Sequence, residues 1–172
     1  MNTKSLVSLS MLIGIGAVLH AVMPGLFLGM KPDMMLTMMF LGILMFPTFQ
    51  NVLLIGLVTG VISGLTTTFP MGLVPNFIDK PITAILFYGL FLISSKVSKN
   101  LIGATVLTAI GTIISGTIFL TSALMIVGLP GPFVALFTTV VLPATVVNAI
   151  VMVIVYPIVH SILKRSKLVE QL

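Results

Sequence analysis

Six apolar segments, approximately residues 5–23, 33–46, 51–68, 81–95, 100–127 and 134–163, are set apart by Pro, Gly and a few charged residues. That pattern leaves few ways to fold. A hydrocarbon core is about 30 Å thick and takes about 20 apolar residues to cross as a helix, and a backbone inside it must satisfy its polar groups internally. The segments therefore predict an all-α integral membrane protein, a bundle of six transmembrane helices. Composition removes the soluble alternative, because 58% of residues are hydrophobic and only 6% charged, with a mean hydropathy of +1.30, far from the usual soluble balance. Residues 1–172 are expected to form a single membrane domain with no soluble domain. The first 22 residues resemble a signal peptide, but the small-residue cleavage pattern is poor and further spans follow, so they are expected to remain as the first helix.

The net charge of +5 does not point to nucleic acid, since the basic residues are scattered singly and form no stripe. They act instead as topology signals. Six helices place Lys4, Lys96, Lys99, Lys164, Arg165 and Lys167 on one side and only Lys31 and Lys80 on the other, which predicts cytoplasmic N- and C-termini. The absence of cysteine excludes disulfides and thiolate metal sites. No phosphate-binding GxxxxGK[ST], HExxH, GxSxG or Cys/His metal spacing occurs, so no enzyme, cofactor or metal is expected. Any energy for pumping would come from another subunit or an ion gradient.

Small residues recur at four-residue spacing: Gly56, Gly60 and Gly64 in the third segment, and Ala104, Thr108, Thr112 and Gly116 in the fifth. Close backbone approach of this kind drives helix association in lipid. Packing within the bundle accounts for both stripes. The first segment carries Ser10, Gly14, Ala17 and Ala21 in a similar arrangement.

Four of the eleven charged side chains, eight basic and three acidic in all, lie in two short clusters, "KPD" at 31–33 and "DKP" at 79–81. The segments that follow them, 33–46 and 81–95, make helices of only about 21 and 22 Å. Both would stop roughly 8–9 Å short of a bilayer boundary, leaving Lys31, Asp33, Asp79 and Lys80 in a recess. Two readings stay open. Asp33 and Asp79 suit N-cap positions and Pro81 a first turn, with the lysines snorkelling to headgroups. Alternatively, fixed charges of both signs, two helix N-termini and nearby rings (Phe27, Phe69, Phe77, Phe133) suit a zwitterion with an apolar side chain. Asn148, a rare amide within a span, calls for a partner, and Pro143 should bend or restart the last helix just before it. His20 is expected to be a packed or interfacial histidine.

The strings "GMKPDMM", "FLGILMFP", "QNVLLIGLVTGVISGLTT" and "PNFIDKP", in this order, resemble the TrpP tryptophan transport family of Bacillus-type bacteria along essentially the whole chain. That resemblance implies an S-component of an energy-coupling factor (ECF) transporter: a six-helix subunit in the bacterial plasma membrane that captures its substrate under the outer loops. It further implies docking through helix 1 on a transmembrane coupling subunit and two ATPase subunits, which alone consume ATP. The family's Ala-x-x-x-Ala docking pattern falls on Ala17 and Ala21, with Ser10 and Gly14 as a looser pair. L-tryptophan is the implied ligand, and Asn76, Asn148 or a loop carbonyl could accept its indole N–H. The substrate-binding candidates are therefore Lys31, Asp33, Asn76, Phe77, Asp79, Lys80 and Asn148. The rival within transport is a stand-alone carrier coupled to protons or sodium through Asp33 or Asp79. Such carriers usually show inverted repeats, and the KPD/DKP echo is too short to count as one.

Overall fold

The computed structural model describes residues 3–25, 31–94 and 100–165, and among these no strand occurs. The helices are α1 (Thr3–Val22), α2 (Met34–Met45), α3 (Phe49–Thr66), α4 (Leu73–Ile93) and α5 (Leu101–Ile126). A sixth span follows, built from α6 (Phe133–Leu136), a π-helical turn (Phe137–Val141) and α7 (Leu142–Arg165). Five of these helical stretches, all but α2, are long and apolar enough to cross a membrane.

α2 is the exception, with 12 residues, about 18 Å of helix. Its sequence MMLTMMFLGILM is apolar on every side, as befits an enclosed helix, and all of its side chains are buried. α1, α3, α4, α5 and α7 pack around it. The even number of passes returns Arg165 to the end of the bundle that holds Thr3. At the opposite end, the short central helix leaves its neighbours standing past its first residue.

Against expectation, the fourth helix begins at Leu73, not at 81, and the segment expected as a loop over 69–80 is largely helical. With 21 residues it is about 31 Å long, so the recess predicted from short helices applies to α2 alone. Asp79, Lys80 and Pro81 lie mid-helix, and Asp79 caps nothing. Pro81 does deprive α4 of one backbone hydrogen bond, but contact with α3 outweighs that loss. A Cβ added at Gly56 would come 2.9 Å from Ala84 Cβ and 3.1 Å from Pro81 Cα, and one at Gly60 would come 3.2 Å from the Asn76 carbonyl. The α3 glycine stripe thus holds α4 at backbone contact along its length.

Two further features position the site. Phe40 of α2 and Phe87 of α4 stack with centroids 4.1 Å apart, against Gly111 of α5, where a Cβ would come within 2.8 Å of both rings. Pro143, lacking an N–H, leaves the Thr139 carbonyl without its usual partner, and the helix passes this point as a π turn in which Leu142 N–H donates to the Phe137 carbonyl. The last helix is loosened there, not restarted. Val140 and Val141 of that turn face the site, and Gly116 of α5 admits Val141.

Candidate substrate-binding site

Beyond the N-terminus of α2, between α1, α3, α4, α5 and the sixth span, lies a cavity of about 110 Å³, several times what one water needs. Its polar lining includes His20, Lys31, Asp33, Ser63, Asn76, Lys80, Ser115 and Asn148; its apolar lining includes Phe69, Phe119, Leu120, Val140 and Val141. Phe69 and Phe119 meet edge to face at 5.2 Å.

The ionic centre is Lys80. Its ammonium group donates to Asp79 Oδ2 at 2.6 Å and Ser115 Oγ at 3.3 Å, and is paired with Asp33 Oδ2 at 2.8 Å. An ammonium group has three donors, and all three are thus committed. Asp79 is fully buried and held from the other side, accepting from Thr83 Oγ1 and Ser115 Oγ at 2.7 Å each. It stands behind Lys80 and does not line the cavity.

Asp33 is indeed an N-cap, accepting from the Leu36 N–H at 3.2 Å, where the helix N-terminus also favours its charge. It does more than cap. Its Oδ1 receives a long bond from Ser63 Oγ at 3.4 Å, and His20 Nδ1 lies 3.6 Å away, beyond hydrogen-bond range. One ammonium group thus serves two carboxyl groups, Asp33 and Asp79. Lys31, half-buried at the cavity wall, has no ion pair among the described residues.

Of the seven candidate side chains, five therefore line one cavity: Lys31, Asp33, Asn76, Lys80 and Asn148. Two do not. Asp79 supports Lys80 from behind, and Phe77 is 46% exposed on another face of α4; both misplacements follow from reading 69–80 as a loop. Phe27 lies outside the described residues, and Phe133 packs on Phe137, whereas Phe69 and Phe119 supply the rings. His20, expected as a packing residue, is 4% exposed and faces Asp33. Its place near the end of the first segment, level with the start of the second, was the available signal. Ser63, beside the glycine stripe of the third segment, and Ser115, next to Gly116 in the fifth, carry no sequence signal beyond that of small residues in packed spans. Among the described residues no group of three or more metal-ligating side chains occurs.

Of the proposed docking residues on α1, Ser10, Gly14 and Ala21 are exposed and Ala17 is half-buried. A Cβ on Gly14 would meet nothing within 4 Å.

Residues 2–164 match the family described as "Tryptophan transporter TrpP". A "Probable tryptophan transport protein" of Bacillus subtilis is 60% identical over 170 residues, covering 99% of this chain and 98% of the relative. A protein of the same description from Clostridium acetobutylicum is 44% identical over 91% of each chain, and one from Clostridium perfringens is 36% identical over 97% of each. No solved structure matches the chain. Five helical stretches able to cross a bilayer, together with relatives named as transport proteins and not as enzymes, make this a multi-pass membrane transport protein. It belongs to the TrpP family of tryptophan transporters.

Proposed function

We propose that the chain captures L-tryptophan in this cavity, as the substrate-binding subunit of an ECF transporter in the bacterial plasma membrane with both termini cytoplasmic. The observation that carries the reading is that Lys80 is fully partnered at the cavity's floor while Asp33 beside it is not. Lys80 is already saturated by Asp33, Asp79 and Ser115, whereas the Asp33 carboxylate has roughly four acceptor positions and three partners. A ligand ammonium group takes the remaining position as a charge-assisted hydrogen bond.

Lys31, at the wall without an ion pair among the described residues, receives the ligand carboxylate as a charge-assisted bond. The edge-to-face pair Phe69 and Phe119, with Leu120 and Val141, receives the ring. The names of the relatives supply the choice of tryptophan among apolar amino acids.

Energisation by a coupling subunit and two ATPases rests on the family resemblance and on the absence of any nucleotide-binding motif in the chain. The exposed small residues of α1, Ser10, Gly14 and Ala21, with half-buried Ala17 beside them, suit a partner helix that must approach closely and separate again. The test has two arms. Purified protein should bind tryptophan with a dissociation constant below about 1 mM, the affinity equivalent of about 4 kcal/mol; weaker binding overturns the substrate assignment. Proteoliposomes holding this chain alone should show no uptake driven by a proton gradient; gradient-driven uptake without ATP overturns the ECF assignment in favour of an ion-coupled carrier.

A further inference from the structure

We infer that Asn148 is the residue by which the cavity recognises an indole N–H, and so the determinant that separates tryptophan from amino acids of the same shape lacking that donor. The inference rests on the proposed tryptophan reading and assigns one atom of the ligand to one atom of the protein. Asn148 is fully buried in α7 and lines the cavity. Its Nδ2 donates to Thr112 Oγ1 at 3.3 Å, while the Thr112 hydroxyl donates its single hydrogen to the Thr108 carbonyl at 2.8 Å.

That second bond fixes the orientation of the amide. With its only hydrogen committed, Thr112 Oγ1 can only accept from Asn148, so the amide must present NH2 to Thr112 and its carbonyl elsewhere. Oδ1 then has no hydrogen-bond partner. A buried carbonyl without a donor is a standing cost that a ligand donor relieves. His20 is the other cavity-lining side chain whose buried polar atoms lack a hydrogen-bond partner among the described residues, and it stands beside Asp33, at the ammonium end. Asn148 is a neutral acceptor, held in one orientation, in a wall that also presents Val141 and Ala144. The ligand feature it fits is a neutral N–H on an apolar ring. A site built around such a bond rejects the analogue lacking the donor far more strongly than an apolar pocket rejects a change of size.

The experiment compares tryptophan with 3-benzothienylalanine, in which sulfur replaces the ring N–H at nearly unchanged shape, by calorimetry on the purified wild-type protein. The analogue should bind about 10- to 100-fold more weakly, the range for leaving one buried acceptor unpaired. Binding of the two ligands within about threefold of one another overturns the inference while leaving tryptophan capture intact; failure to bind tryptophan at all overturns both. Asn148→Leu should weaken tryptophan and bring the two ligands together, and Thr112→Val, which frees the amide to turn, should reduce the discrimination while keeping the residue in place. If Asn148→Leu fails to fold, the wild-type comparison and Thr112→Val still decide. Undiminished discrimination in Thr112→Val or Asn148→Leu counts against the inference.

Discussion

Lys80 of α4 and Asp33 at the start of α2 stand 2.8 Å apart, joining a helix that crosses the bundle to the cap of its buried central helix. Because Lys80 also holds Asp79, removing its ammonium group strands two carboxylates in a buried site. Breaking a buried ion pair by deleting one partner costs about 3–5 kcal/mol. Lys80→Met should therefore lower stability by about that amount in thermal or denaturant unfolding in detergent, and the double variant Lys80→Met/Asp79→Asn should recover part of it. Equal stability of Lys80→Met and wild type would mean that the three charges are not coupled.

Capping and ligand binding can be separated at Asp33. Asn is as good an N-cap as Asp, so Asp33→Asn should preserve the start of α2 while removing the charge proposed to receive the ammonium group. Tryptophan affinity should fall by about 2 kcal/mol, roughly 30-fold, and Lys31→Ala should do the same at the carboxylate, within the range for hydrogen bonds to charged groups. Calorimetry on folded protein reads both. Asp79→Ala should act mainly on stability, because the cavity does not touch Asp79. A protein that keeps full affinity in both Asp33→Asn and Lys31→Ala would leave the two charges as caps and anchors only.

The sequence made the six-helix bundle legible because apolar length and scarcity of charge act over whole segments. It also brought Lys31, Asp33, Asn76, Lys80 and Asn148 forward as polar groups in an apolar chain, and α4, α7 and the start of α2 place them around one cavity. What failed was local: Pro81 suggested a helix start, and only the depth of α3–α4 contact at Gly56, Gly60 and Gly64 shows why a helix continues through it. That single boundary misplaced Asp79 and Phe77. His20, Ser63, Ser115 and Phe119 escaped for a different reason. Each is an ordinary residue for a packed membrane helix, and only tertiary placement beside Asp33, Lys80 or Phe69 gives it a role.

Close contact of α3 with α4 predicts which glycines tolerate a methyl group. Gly56→Ala must displace Ala84 Cβ and the Pro81 backbone, neither of which can swing aside, and should destabilise the bundle by about 1–3 kcal/mol, as overpacking does. Gly89 of α4 has nothing within 4 Å of a Cβ, so Gly89→Ala should be neutral or stabilising by up to about 1 kcal/mol through helix propensity. Unfolding midpoints of the two variants should therefore move in opposite directions, or the first should fall while the second holds.

The exposed α1 face gives the clearest division between capture and transport. Gly14 lies away from the cavity lining, in a surface groove between α1 and α3, and a Cβ there meets nothing within 4 Å beyond its own helix backbone, so Gly14→Leu adds bulk to the exposed α1 face without reaching the cavity. Tryptophan affinity of the isolated protein should stay within about twofold of wild type, whereas ATP-driven uptake reconstituted with the proposed coupling and ATPase subunits should drop about tenfold or more, since close approach of helices in lipid depends on small side chains. Paired binding and uptake measurements on the same preparation check this. If Gly14→Leu transports as well as wild type, the partner docks on a different face of the bundle, and the small residues of α1 are there for lipid alone.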